Sequence, residues 1–322
     1  KAPGRQFKGV SLPAKGQQIQ RIGPKLNEID KVLEGRRLSL QQSIEGVVPE
    51  MVLVLEIAGT ITNFFSAVKK TPGLEFLAEF EEDFLPDDLF YHTDKEGRKA
   101  EKKYTGQIFL VMTNQKALNE LKRYWDKYKK SEKFDRGTTK FRILFDQLKD
   151  IRPYSINDRL KDTGFEDYLK EQREHNIENV RFEVELFFRK GKIERQNALR
   201  ELKNLLKQNG GKFLNQSETM IEEIVYHAFI AEAPIKVFDD LSENTNVTFL
   251  KCERIMFLRP VGQVAVKNPG EIEEQQVLPG EEIPLPGGNP VVALLDGLPL
   301  ANHKYLANRL NIDDPDNYAG GY

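Results

Sequence analysis

The chain has 322 residues, 39% of them hydrophobic and 30% charged, and its 48 Lys and Arg nearly balance 50 Asp and Glu for a formal net charge of −2. That length suits two or three domains of roughly 100–200 residues, with apolar material for real cores beneath a well-solvated surface. The interspersed signs build no field that would draw nucleic acid, and neither a membrane-length apolar run nor a signal-peptide core is present, so a cytoplasmic protein without a membrane partner is expected.

Residues 1–45 read as an N-terminal arm and a helix. The first 23 are rich in Lys, Gln and Gly with little periodicity, as in a flexible arm. From Pro24 to about Gln42, residues Leu26, Ile29, Val32, Leu33, Leu38 and Leu40 fall at mostly helical spacing, with Pro24 in the first turn and a break expected near Gly35. Residues 46–155 read as a first module: a strand at Met51–Ile57, a helix around Ile61–Val68, a strand at Leu74–Phe84, a polar insert at Pro86–Tyr104, a strand at Gln107–Met112 and a helix from Gln115 to about Lys130. Short helices follow at Phe141–Leu148 and Gly164–Gln172.

Residues 156–260 repeat the order of elements. VRFEVELFF (Val180–Phe188) alternates as a half-buried strand does, Ile193–Gln208 is an amphipathic helix stopped by Gly210-Gly211, and strands are expected at Phe213–Gln216 and Glu223–Ala231. A short helix at Ile235–Leu241 and a strand at Val247–Met256 close the unit. The lone cysteine, Cys252, falls in that last run and reads as a buried, inert thiol. The resulting fold class is α+β, with tandem ferredoxin-like β-α-β-β-α-β modules. Residues 261–289, acidic and rich in Pro and Gly, read as an extended linker to a further domain at 290–322.

Chemistry appears in that last segment. Val291-Val292-Ala293-Leu294-Leu295 is an apolar run without alternation, as in a parallel strand buried on both faces, and it ends in Asp296-Gly297. Ligands gather at the carboxyl ends of such strands, so Asp296 stands where a catalytic carboxylate would; taken alone, the pattern reads in preference as a helix cap or ligand-orienting Asp. Elsewhere, His92 lies in the polar insert, His175 in a charged stretch and His227 within a strand, with no metal-ligand spacing among them and no phosphate loop or dinucleotide fingerprint. The acidic cluster Glu79, Glu81, Glu82, Asp83, Asp87 and Asp88 reads either as a cation site or, in preference, as a solvated charged face.

The string PVVALLDGLPLANHKYL (Pro290–Leu306) resembles the aspartate motif of subtilisin-like serine peptidases: a buried strand ends in Asp, a Gly-containing turn follows, and a non-catalytic His stands seven residues on, here His303. The usual Asp-Ser/Thr-Gly is replaced by Asp296-Gly297-Leu298. The motif covers about the last tenth of the chain, and the preceding modules fit it, since subtilisin prodomains resemble ferredoxin-like sandwiches. The resemblance implies the start of a subtilisin-like parallel-sheet domain, with Asp296 as the catalytic Asp of an Asp-His-Ser triad whose His and Ser come later. The 322 residues alone are then expected to be inactive. It further implies a protein or peptide substrate, no metal or cofactor, the remaining catalytic part of the same peptidase as a partner, and, by analogy, a remodelling ATPase. A different class of reading makes the chain a regulatory or protein-binding module without hydrolytic activity.

Overall fold

The computed structural model describes residues 10–41 (side chains through Gly35), 49–93, 98–242, 245 and 247–261. The described residues up to Pro260 form one compact unit. The expected linker at 261–289 beyond Val261, and the expected strand and Asp296 within 290–322, lie outside the described residues.

The N-terminal segment is more ordered than its composition predicts. Val10–Ser11 forms β1, and α1 runs over Lys15–Gln41, so Pro24 sits inside the helix rather than at its start, and the backbone stays helical through Gly35. Proline there removes one intrahelical hydrogen bond, a loss that tertiary contacts offset. Ile22, Leu26, Ile29 and Leu33 are buried on one face, and the buried Gln18 donates through Nε2 to the carbonyls of Phe145 (2.8 Å) and Leu148 (2.6 Å). A glutamine-rich stretch thus anchors its helix by hydrogen bonds that no apolar period announces.

β2 (Glu50–Ile57) is the apolar run read from sequence, buried on both faces. The expected second helix shrinks to the single turn α2 (Phe65–Val68), followed by β3 (Glu75–Phe84). The polar insert contributes β4 (Tyr91–Thr93) and β5 (Lys99–Ala100); β4 pairs with β1 on one side and β5 on the other in a small antiparallel sheet. β6 (Tyr104–Asn114) then leads into α3 (Gln115–Lys129), whose first turn is capped by the Asn114 side chain accepting from the Ala117 amide at 3.0 Å. α4 (Lys140–Gln147) runs into β7 (Leu148–Pro153), a strand that sequence reasoning missed. LKDIRP has only two large apolar residues three apart, so it carries no period-two signal; as an edge strand it needs only Leu148 and Ile151 facing inward.

The four long strands form an antiparallel sheet in the order β3-β6-β2-β7. Met51, Leu53, Leu55 and Ile57 of β2, with Phe109 and Val111 of β6, face α1, α3 and α4, where Leu118, Leu121, Trp125, Phe141 and Phe145 complete the core. Gly106 permits the close approach of β6 to β2: a Cβ there would stand 2.0 Å from the Ile57 carbonyl oxygen.

α5 (Ile156–Leu160), opened by a capping box between Ser155 and Asp158, and α6 (Phe165–Glu174) precede the second large sheet. β8 (Asn179–Leu186), α7 (Lys192–Gln208), β9 (Lys212–Phe213), β10 (Thr219–Ile221), β11 (Tyr226–Pro234) and β12 (Ile255–Pro260) follow. The strand order is β10-β11-β8-β12, antiparallel throughout, with β9 also paired to β11. The last strand starts later than its sequence pattern indicates. Residues 247–254 make turns instead, because Phe249, Leu250 and Cys252 are drawn under the sheet into its core. Phe182 is central there, with ring centroids 5.8, 5.1 and 6.0 Å from Phe165, Phe238 and Phe249.

The two large sheets meet at a small mixed interface. Val52, Val54, Leu110 and Met112, on the face of the first sheet away from its helices, pack with Tyr154, Phe187 and the partly buried Met256. Beside them, Arg189, just past β8, sends both terminal nitrogens to Glu50 at 3.0 Å and its Nε to Glu75 at 2.7 Å, while Arg254 also donates to Glu50 and reaches Glu201 of α7 at 2.9 Å. Burial alone would raise the Glu50 pKa, but the hydrogen bond from Arg189 and the fields of Arg254 and Arg189 outweigh it and hold it below the ordinary 4.5.

Removing one partner of so enclosed a pair leaves the other charge poorly compensated. Arg189→Met should therefore cost about 3 kcal/mol in urea unfolding, near the lower end for buried pairs. Because the folded pKa of Glu50 is depressed, its contribution is full above the unfolded value and lost as pH falls through the folded one. Stability of the parent should drop more steeply than that of Glu50→Gln as the pH is lowered below about 4.5, measured by urea midpoints.

Candidate functional site

Asp296, its preceding apolar run and His303 lie outside the described residues. The histidines that are described stand on separate elements. The His92 ring on β4 meets Tyr104 edge-on at 6.2 Å; His175 caps α6 with Nδ1 2.8 Å from the Glu171 carbonyl; and the buried His227 on β11 has Nε2 3.1 Å from Glu218. Among the described residues no group of three or more His, Cys, Asp or Glu is placed to hold a metal ion.

The acidic run of β3 and the loop after it is dispersed among separate partners. Glu79 accepts from Gln107 (2.6 Å), Asp83 from Thr105 (2.7 Å), Glu82 pairs with Lys161 (2.8 Å) and Asp88 with Lys99 (2.8 Å). Asp87 is turned inward to accept the Leu89 and Phe90 amides at 2.9 and 2.8 Å. Burial would raise its pKa, but those two amides, with Lys149 and Arg21, bring it below the ordinary value.

Alternation along β8 separates two faces. Val180, Phe182, Val184 and Leu186 enter the core under α5, α6 and α7, which leaves Arg181, Glu183 and Glu185 on the opposite face. The registers of the neighbouring strands align Ile230, Glu183 and Arg259 in one row and Ala228, Glu185 and Phe257 in the next. Arg259 bridges both carboxylates, Glu183 at 3.1 Å and Glu185 in closer contact, and lies over the Phe257 ring at 4.8 Å. Burial opposes its charge, yet the hydrogen bonds and fields of Glu185 and Glu183 raise its pKa overall. Tyr226 borders the pair; burial, then the charge of Glu183 and a hydrogen bond to it, push the phenol up to about 12.

This face combines half-buried apolar residues, paired carboxylates, a guanidinium and a phenol, which suits recognition of a polypeptide surface. It provides no nucleophile set beside a base. The alternation of VRFEVEL was readable beforehand; the Arg259 that joins its two carboxylates was not, because it comes from a strand 76 and 74 residues away.

Cys252 is buried and its Sγ lies 4.0 Å from Glu201. Burial first, and then the Glu201 charge, push its thiol up to about 12, the environment of an inert cysteine. The buried Arg159 nearby donates to the carbonyls of Tyr154 (3.3 Å) and Cys252 (3.2 Å), tying α5 to the turns that carry the thiol.

No helix among the described residues is long and apolar enough to cross a membrane. In comparisons with known proteins, no family model and no curated protein matches the sequence.

Replacing Arg259 by Met should leave Glu183 and the buried Glu185 without their shared counterion. The expected loss is about 1–3 kcal/mol in denaturant unfolding, and Glu185→Gln in the same background should recover part of it by relieving the like-charge pair.

Proposed function

We propose that this chain is the N-terminal part of a subtilisin-like serine endopeptidase, hydrolysing peptide bonds through an Asp-His-Ser triad to which it contributes Asp296. One observation carries the reading: an uninterrupted apolar run, Val291–Leu295, ends in Asp296-Gly297, with His303 seven residues beyond the aspartate. A serine hydroxyl becomes a competent nucleophile only when a histidine takes its proton, and a buried carboxylate holds that imidazole in the required tautomer and stabilises its cation. Asp296 would be that carboxylate; the His and Ser would be supplied by the rest of the peptidase.

The preceding architecture supports the same assignment. Numbering the principal strands of each sheet 1 to 4 in chain order, β3-β6-β2-β7 and β10-β11-β8-β12 both read 2-3-1-4, the order expected of a ferredoxin-like β-α-β-β-α-β sandwich. In this reading residues 156–260 form the prodomain-like module. Its sheet face bearing Tyr226, Ile230, Glu183 and Arg259 docks on the part of the peptidase that carries the His and Ser, assisting its folding or restraining its activity. Residues 46–155 form a second module of the same kind that braces it.

The test uses the full-length protein. A fluorophosphonate probe should label one serine, and Asp296→Ala should lower turnover of a peptide substrate by about 10⁴-fold, since a histidine without its carboxylate is left in the wrong tautomer. A protein that takes up no probe, or whose hydrolysis is unchanged by Asp296→Ala, has no such triad. Substitution of the partly exposed Glu183 by Lys should alter folding yield or peptidase activity; no change in either would remove the docking role.

A further inference from the structure

The edges of the two large sheets differ in how they are protected. The outer side of β3 is lined by Glu79, Glu81, Glu82 and Asp83 and distorted by a register shift between Phe76 and Ala78, while β7 is backed by α1. Charge, irregularity and cover are the usual means of keeping an edge strand from pairing with other chains. Among the described residues β10, three residues long, carries no charge and no register shift along its strand and has no strand on its outer side. Its inner side pairs with β11.

Its side chains are apolar and exposed as well. Met220 and Ile221 on β10 are 48% and 40% exposed, and Ile224 and Val225 in the turn that follows are 64% and 61% exposed. Ile193, 70% exposed in the first turn of α7, belongs to the same end of the module, because Arg195 reaches across from α7 to Glu222 at 3.2 Å. Met220 lies opposite His227 and Ile221 opposite Tyr226, so the edge offers apolar contact on both faces of the sheet at once.

The strand and its flanking turns are acidic, with Arg195 of α7 offsetting Glu222. From Ser217 to Tyr226 the sequence holds Glu218, Glu222 and Glu223 and no cation. A second copy of the chain laid antiparallel along β10 would bring Glu218 of one copy toward Glu223 of the other, a like-charge arrangement that the Arg195–Glu222 pair offsets only in part and that disfavours self-pairing. An extended segment with alternating apolar residues between Lys or Arg would instead meet opposite charge at its flanks and apolar side chains at its centre.

We propose that β10 and the turn after it bind an extended, basic-flanked apolar segment of another protein, which joins the sheet as an added strand. Main-chain hydrogen bonds to the free side of β10 hold the segment, and Met220, Ile221 and Ile224 select its side chains. This role is independent of the peptidase assignment, since it uses neither Asp296 nor the sheet face around Arg259.

The experiment pans a phage-displayed random heptapeptide library on the full chain, then measures the enriched peptides by fluorescence anisotropy and by amide exchange of the complex. Enriched peptides should alternate apolar residues between Lys or Arg, slow exchange at Thr219–Ile221, and bind at least about tenfold more weakly to Ile221→Lys and Ile224→Lys. As a check that does not depend on the variants folding, an enriched peptide N-methylated at alternate residues keeps its side chains but loses strand donors, and should also bind at least about tenfold more weakly. The proposal is overturned if no peptide is enriched, if acid-flanked peptides bind equally well, if N-methylation has no effect, or if the chain forms a dimer in sedimentation that Ile221→Lys abolishes.

Discussion

Glu50 is the point on which the two halves of the described structure depend. It opens β2, and both guanidiniums that grip it, Arg189 and Arg254, come from the second half of the chain, at either side of the β8–β12 pair. Arg189 simultaneously holds Glu75 at the start of β3. One cation therefore ties the ends of two strands of the first sheet to the second sheet. Guanidinium suits the task because its planar fork donates in two directions without rearranging. The apolar contacts beside it add packing but little directional information; the charges determine how the sheets meet.

That junction restricts which surfaces remain for binding. The face of the first sheet away from its helices is partly occupied by Tyr154, Phe187 and Met256. The corresponding face of the second sheet keeps Glu183, Arg259 and Tyr226 partly exposed over the buried Glu185, and among the described residues no strand pairs with the outer edge of β10. The proposed docking and the proposed strand capture thus fall on one module, the first on a charged sheet face and the second on an apolar strand edge. The first fits docking on a peptidase domain as the subtilisin-like reading requires. The second fits capture of an extended segment.

Much of the secondary structure could be read from residue order, for identifiable reasons. MVLVLEI could only be a buried strand, the stripe Leu118, Leu121, Trp125 and Tyr128 could only bury one face of a helix, and VRFEVEL alternates cleanly. Elements without such periodicity were misread. The Gln-rich start of α1 is held by Gln18 reaching carbonyls 127 and 130 residues away, and β7 is a charged edge strand whose place is set by its neighbour β2. Phe249, Leu250 and Cys252 resemble a strand in sequence but serve as turn residues filling a core.

The sequence by itself determined the α+β class, the burial of Cys252 and, through one strand-Asp-turn string, the peptidase hypothesis, because each rests on local pattern or on spacing within a few residues. Tertiary structure alone decided that the two halves lock through Glu50, that Arg259 unites Glu183 with Glu185, and that among the described residues no strand pairs with the outer side of the apolar β10. The physical reason is range: periodicity reports what a segment buries, whereas ion pairs between distant residues and the absence of a neighbouring strand become visible only once the chain has brought its parts together.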